Sequence, residues 1–256
     1  MFRVATWNVN SLRVRLPHVT DWLKTSDPDA LAIQETKLTD DNFPASEFEQ
    51  LNYHSVYSGQ KTYNGVAILS KQPAKVIATD FPDFIDPQRR ILCAVIDDIC
   101  LLNLYIPNGS EVGSEKYAYK LEWLSHLQTF TASLLKKYKH CLVVGDFNIA
   151  PTDDDVHDPE EWAGKIHCSE PERAEFFKLT GKGLEDCFRL FKRDGKAFSW
   201  WDYRGGGFRR NRGLRLDHIL ASKPLAALCT ACEIDIAPRA LERPSDHTPV
   251  YSDFNI

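Results

Sequence analysis

The chain has 256 residues, 43% of them hydrophobic and 26% charged, with a formal net charge of −5 at pH 7. That balance excludes an intrinsically disordered protein and one coated uniformly in basic residues, and no apolar run reaches the length of a membrane span. It leaves a globular protein able to bury a sizeable core in a single domain over residues 1–256.

The first residues, Met1-Phe2-Arg3-Val4-Ala5-Thr6-Trp7, enter strand-like sequence at once. They lack the charged and apolar regions of a signal peptide, which points to a cytoplasmic protein. Residues 2–7 read as a strand ending in Trp7-Asn8-Val9-Asn10. Ser11 then reads as the N-cap of a helix through about Lys24, with Leu12, Leu16, Val19 and Leu23 on one face. Residues 29–36 form an apolar strand closed by Glu35. A carboxylate at the end of such a run is costly unless it is paired or bound to a metal.

Short strands follow at about 53–57, 65–70 and 74–79, with Asn64-Gly65 as a turn signal. Two more, at 91–96 and 99–106, are joined through Asp97-Asp98, and the second stops at Tyr105-Ile106-Pro107-Asn108-Gly109. Residues 115–137 carry the periodicity of a long amphipathic helix. Val143-Val144-Gly145-Asp146-Phe147-Asn148 reads as the end of a buried strand, with Asp146 and Asn148 projecting together and Phe147 facing away. From Pro151 to about Gly164 the chain is a polar, acidic loop expected to face solvent, and Glu170 to Lys178 is a short helix. Strands at 197–201 and 214–221 flank an arginine- and glycine-rich loop, and a last strand spans 249–254. Many strands with few long helices predict two packed sheets with helices outside. The lone Cys229/Cys232 pair lacks the second pair or histidines of a zinc site, and reduced thiols are expected throughout.

Polar groups recur where the strands stop: Asn8, Glu35, Tyr105, Asn108, Asp146, Asn148, Asp217, Asp246 and His247. Each has a structural explanation alone. Asn8 fits a turn, Tyr105 a core position with a wet hydroxyl, Asp217 a partner for Arg215, and His247 a satisfied buried histidine. Together, so many polar groups at one rim would build a poor core.

In these segments the chain resembles the exonuclease III and abasic-site endonuclease family of metal-dependent DNA repair nucleases, within the endonuclease/exonuclease/phosphatase superfamily. The resemblance rests on Trp7-Asn8-Val9-Asn10-Ser11-Leu12-Arg13, Gln34-Glu35-Thr36-Lys37, Asn103 to Gly109, Gly145-Asp146-Phe147-Asn148, Trp201-Asp202-Tyr203-Arg204, Arg212 to Asp217, and Ser245-Asp246-His247-Thr248-Pro249. It implies a four-layer sandwich: two packed, mostly antiparallel sheets between helices, with the site at one edge. It also implies a divalent cation, Mg²⁺ or alternatively Mn²⁺, with Glu35 as its best ligand and Asn8 and Asp246 in support. His247 resembles the family's phosphate-contacting histidine, oriented and held charged by Asp217. Asp146 is the candidate for orienting or deprotonating the attacking water, Asn148 for holding water or phosphate, and Tyr105 for hydrogen-bonding a phosphate oxygen or the leaving group.

The implied partner is double-stranded DNA with nicks, gaps or damaged 3′ ends, met by a monomer. Asn108, His167, Trp200, Arg209, Arg210 and Leu214 are the residues expected to face it, and the loop of Arg204, Arg209, Arg210 and Arg212 reads as an arm that tracks phosphates. His167 departs from the resemblance. Family members with strong abasic-site cleavage carry a small residue just before the Cys168-Ser169 pair. An imidazole there would crowd a flipped-out sugar or a continuing strand, at a cost of roughly 1–3 kcal/mol. The bland alternative lets the ring swing to solvent. The expectation is therefore a 3′-end-processing enzyme, removing 3′-phosphates and 3′ nucleotides, with abasic-site incision impaired. An ordinary abasic-site endonuclease with exonuclease activity is the runner-up. A phosphodiesterase of lipid or inositol phosphates and a non-catalytic DNA-binding module rank lower.

Overall fold

The computed structural model describes residues 1–256. Strand β1 (Phe2–Asn8) leads through helix α1 (Leu12–Ser26) to β2 (Ala30–Gln34), then α2 (Ala45–Glu49), β3 (His54–Ser58), β4 (Val66–Ser70), β5 (Ala74–Ala78), β6 (Ile91–Ile96) and β7 (Ile99–Tyr105). The long helix α3 (Glu115–Lys137) precedes β8 (His140–Asp146), α4 (Pro159–Trp162), α5 (Glu170–Gly181) and β9 (Leu184–Asp186). The chain closes with β10 (Trp200–Trp201), β11 (Gly213–Leu214), β12 (Asp217–Ser222), α6 (Lys223–Ala226), β13 (Cys229–Ile234) and β14 (Val250–Phe254).

Two six-stranded sheets result, in the orders β13-β14-β1-β2-β4-β3 and β5-β6-β7-β8-β12-β9. All pairs within them are antiparallel except β1 with β2 and β7 with β8. Alternation along the strands fills the space between the sheets with Val4, Ala32, Ile68, Leu92, Leu101, Leu142, Val144 and Ile219. Outside the first sheet, Trp7, Leu31 and Ile33 meet Leu12, Val19 and Leu23 of α1. Outside the second, Leu102, Val143 and Phe147 meet Trp123, Leu124 and Leu127 of α3 and Phe176 of α5. Truncating a ring such as Trp123, fully buried here, costs about 3–5 kcal/mol. The layers are thus helix, sheet, sheet, helix, as the sequence predicts.

Helix α3 has the predicted bounds because Ser114 caps it, its hydroxyl accepting from the Tyr117 amide, and lysines close its last turn. Ser11 differs. It precedes α1, yet at φ 90° its side chain makes no cap hydrogen bond. The segment predicted as one strand at 214–221 breaks at Arg215-Leu216, because the Arg215 side chain turns in to meet Asp155 and Asp186. Asp155 is fully buried and also pairs with Arg189, so the acidic loop is a solvated face only in part. Two edge strands, β9 and β13, were not expected from the sequence.

Candidate active site

The two parallel pairs and their antiparallel neighbours bring the polar residues together. Strands β1, β2, β7 and β8 all end at one edge, with Asn8 opposite Gln34 and Tyr105 opposite Asp146. Strand β12 starts at that edge, with Asp217 directly opposite Asp146. Strand β14 runs antiparallel to β1, so the turn before it delivers Ser245-Asp246-His247 to the same rim. That turn is pinned by Ser245, whose Oγ donates to the Asn8 carbonyl at 2.7 Å.

At the centre, His247 lies between two acids. Its Nδ1 is 2.8 Å from Asp217 Oδ2, and its Nε2 is 3.6 Å from Asp146 Oδ2. All three side chains are buried. Burial alone would neutralise the imidazole, but Asp217 and then Asp146 outweigh it and push its pKa up to about 10. Burial pushes Asp146 up to about 7, with the Asp217 charge adding to it and His247 opposing. Asp217 is therefore the partner of His247 and not of Arg215.

Amides surround the row. Asn8 Nδ2 donates to both Glu35 Oε1 and Asp146 Oδ2 at 2.9 Å. Asn148 Nδ2 donates to the Ile106 carbonyl at 2.9 Å, and its oxygen accepts from Asn108 Nδ2 at 3.2 Å. The Asn148 amide N–H donates to Asp146 Oδ1 at 2.9 Å. Tyr105 stands half-buried beside them; burial first, then the Glu35 and Asp146 charges, hold its hydroxyl protonated far above its ordinary range. Arg90 braces Tyr105, donating to its carbonyl at 3.2 Å with the guanidinium 4.8 Å from the ring centre. A cavity of ≈ 420 Å³ opens beside Tyr105 and Asn108, lined also by Arg90, Lys116 and Tyr119.

Several of these residues sit in the left-handed region that non-glycine residues avoid: Asn10, Ser11, Glu35, Lys37, Asn148 and His167. Such strain gathers where structure over-determines the backbone, commonly at functional sites.

Two groupings have the hard oxygens a divalent cation takes. Asp146, Asp217 and His247 bring their ligand atoms within 4.8 Å of one another, and the imidazole, raised by both acids, already offsets part of their charge. Glu35 is the other. Its Oε2 attracts the Lys37 ammonium to 2.9 Å, so the spot favours positive charge. Asn8 turns its amide nitrogen toward the acids while its Oδ1 accepts from the Asn10 amide at 3.0 Å, so here it orients Glu35 and Asp146. Asp246 has both oxygens engaged, by Asn10 Nδ2 at 2.9 Å and Trp200 Nε1 at 3.0 Å.

The DNA-facing residues divide. Trp200 lies at the rim, while its neighbour Trp201 is buried against Phe208. Arg209 and Arg210 are exposed on short turns made by Gly205 and Gly206 at φ 63° and 66°. Arg212 is exposed too and pairs with Glu161 at 2.5 Å. Leu214 has no exposed surface; it packs with Ala150, Val156, Cys168 and Leu216, which makes it a floor under the site and leaves it no face for DNA. His167 does not swing to solvent. It is 5% exposed, with Nδ1 2.7 Å from the Asn148 carbonyl, Nε2 3.5 Å from Asn108 Nδ2, and its ring 6.3 and 6.4 Å from those of Trp162 and Trp200.

Sequence reasoning missed Lys120, wholly buried behind this wall, and the brace at Arg90. The signal for Lys120 was its place on the apolar face of α3, between Tyr117 and Trp123.

A buried acid, a histidine paired with a second acid and converging amides are the groups with which a hydrolase directs water at an anionic ester. Comparison with known proteins narrows the class. Residues 5–247 match the endonuclease/exonuclease/phosphatase family. The chain is 38% identical over 262 residues to exodeoxyribonuclease III of Haemophilus influenzae, covering 97% of this chain and 98% of the relative. Its fold matches the 3′ phosphatase NExo from Neisseria, solved bound to a product DNA hairpin, with a TM-score of 0.98, 44% identity and 100% of both chains covered. An AP endonuclease from Archaeoglobus fulgidus matches with a TM-score of 0.96 and 37% identity, again over 100% of both chains. The chain belongs to the endonuclease/exonuclease/phosphatase family, as a DNA-acting hydrolase of the exodeoxyribonuclease III type. The family is metal-dependent, and no helix here is long and apolar enough to cross a membrane.

Proposed function

We propose that this enzyme works as a monomeric, single-domain, cytoplasmic repair nuclease on nicked or gapped double-stranded DNA. It releases 3′-phosphates and 3′ nucleotides, and it incises internal abasic sites poorly. The observation that carries the substrate preference is His167, buried between Trp162 and Trp200 with its ring beside Asn108. A terminal 3′ group needs no room beyond the phosphate. A sugar in a continuing strand needs the volume the imidazole fills. The likeness to an AP endonuclease favours the second reading, an ordinary abasic-site endonuclease with exonuclease activity.

The mechanism follows from the protonation states. Asp146, with its pKa near 7, accepts a proton from the water it orients as that water attacks phosphorus. The bond from phosphorus to the 3′ oxygen breaks in line, and the departing oxygen takes its proton from solvent water. His247, kept charged by Asp217, donates to a phosphate oxygen and stabilises the extra negative charge. Asn148, steadied by Asn108 and the Ile106 carbonyl, holds the phosphate, and Tyr105 donates to a phosphate oxygen or the leaving group. Glu35 would hold Mg²⁺, or Mn²⁺ in its place, with Asn8 orienting it and Asp246 in support; the ion would neutralise phosphate charge. Arg209, Arg210 and Trp200 face the duplex.

The deciding experiment compares, for the wild-type enzyme with Mg²⁺, release of a 3′-phosphate at a nick and incision of an internal abasic site. Phosphate release faster by tenfold or more upholds the proposal; equal or faster incision replaces it with the second reading.

A further inference from the structure

The geometry points to the buried Lys120–Glu172 pair as the positioning device that holds Asn108, Asn148 and His167 together and so sets the choice between terminal and internal substrates. In its second half this rests on the reading of His167 given above.

Both side chains have zero exposure, with Lys120 Nζ 2.5 Å from Glu172 Oε1. Ion pairs so deep are poor stabilisers, since losing water offsets most of their attraction, and apolar pairs of similar volume do as well. Their partners suggest another role. The ammonium's other contacts are the backbone carbonyls of Asn108, at 3.2 Å, and Asn148, at 2.7 Å. Glu172 Oε1 accepts from the His167 amide N–H at 3.1 Å, while Oε2 accepts from Ser169 N at 3.2 Å and Ser169 Oγ at 2.5 Å. One ion pair therefore fastens three loops, and each loop carries one residue of the phosphate-side wall.

The stem of Lys120 is itself confined. A Cβ on Gly109, which has φ +90°, would lie 3.1 Å from Lys120 Cδ and 2.8 Å from Ile166 Cδ1. The carbonyl of Asn148 receives both Lys120 Nζ and His167 Nδ1. A carbonyl only accepts, so Nδ1 carries the ring proton and Nε2 turns its lone pair to the Asn108 amide, 3.5 Å away. Burial and then the Lys120 charge push His167 down to about 3, so the ring stays neutral and this tautomer persists. Lys120 touches no substrate in this scheme. It is a positioning residue acting through Asn108, Asn148 and His167.

The test uses His167→Gly, the double variant Lys120→Met/Glu172→Leu, and the triple. Removing both charges leaves no buried ion unpaired, so the double variant is the one expected to fold. Two quantities are read: the ratio of abasic-site incision to 3′-phosphate release, and the ring-nitrogen signals of His167, assigned by their loss in His167→Gly. Loosening the clamp relieves part of the crowding at His167 and raises the ratio about tenfold, within the roughly five- to hundredfold that full relief of such overpacking gives, and the triple equals His167→Gly. The Nδ1-protonated pattern of the wild type gives way to mixed tautomers. A folded double variant with the wild-type ratio and wild-type His167 signals overturns the proposal. If His167→Gly leaves the ratio unchanged while the double variant still alters the His167 ring signals, the barrier reading fails and the positioning role stands. Should the double variant not fold, the wild-type spectrum decides: an Nε2-protonated or titrating His167 rules the clamp out.

Discussion

His167→Gly is the sharpest single perturbation of this site, because its effects on stability and on activity have opposite signs and different sources. His167 holds φ 71°, and left-handed backbone costs a non-glycine residue roughly 1–2 kcal/mol, which glycine recovers. Against that, the variant loses the 2.7 Å bond from Nδ1 to the Asn148 carbonyl, worth about 1 kcal/mol. It also loses ring packing between Trp162 and Trp200 of about 1–2 kcal/mol. Net destabilisation should stay near 1 kcal/mol, or roughly 2–4 °C in Tm at this size. Activity moves much further. Opening the volume removes a crowding cost of about 1–3 kcal/mol for an internal sugar, a five- to hundredfold gain in incision. Release of a 3′-phosphate changes little. The assay is single-turnover cleavage of a duplex with one internal abasic analogue, beside the same duplex with a 3′-phosphate at a nick. His167→Ala separates the two causes: it opens the volume but keeps the strained backbone, so it should incise like the glycine variant and be about 1 kcal/mol less stable than it. Efficient incision by the wild type, or no gain in the glycine variant, refutes the reasoning.

Asp146→Asn should lower hydrolysis by about 10²–10⁴-fold while DNA affinity, measured by fluorescence anisotropy, is kept; near-normal turnover sinks the assignment. Asp217→Asn removes the charge that does most to raise His247, so the alkaline limb of the rate profile, set in the wild type near pH 10, should move down toward the ordinary histidine range; an unmoved limb shows that His247 is not the group titrating. Chelating divalent cations should abolish activity, and Mg²⁺ or Mn²⁺ should restore it in the wild type far better than in Glu35→Gln. Asp155 is held down to about 2 by Arg215 and Arg189 against its burial. A depressed carboxyl stabilises the fold above its unfolded pKa, and that contribution fades as pH falls from about 4 to about 2. Denaturant titrations should show roughly 2 kcal/mol of it lost over that window, a slope absent from Asp155→Asn.

What the sequence made legible was the set of strand ends. Asn8, Glu35, Asp146 and Asp217 could be read because a polar residue after an apolar run stands out, and the parallel and antiparallel registers then bring those ends to one edge. Helix α3 was legible through its period and its cap. What escaped were features owed to distant partners. Asp155 looks like one acid among three until Arg215, sixty residues on, turns in to meet it. Strand β9 has three residues, and β13, Cys-Thr-Ala-Cys-Glu-Ile, breaks strict alternation at a bulge between Cys229 and Ala231, so neither stands out as a strand; β9 forms by pairing with β12 and β13 by pairing with β14. Trp200 and Trp201 are indistinguishable in composition, yet one side chain reaches Asp246 and the other the core. Leu214 fits the family segment but carries its role from beneath.

Strain and buried charge collect at this rim for a common reason. Where β1 and β2 end side by side, the chain must turn at once, and Asn10, Ser11, Glu35 and Lys37 take left-handed backbone to do it. Cross-links between the turns hold them: the Ser11 amide donates to the Glu35 carbonyl at 2.8 Å, and the Leu12 amide to that of Thr36 at 3.1 Å. The same closeness lets Asn8 reach Glu35 and Asp146 at once, joining the two sheets at the point of reaction. The strained turns therefore set where Asn8 sits, and through it the balance at Asp146: burial raises this acid, and the hydrogen bond that Asn8 donates pulls it back down.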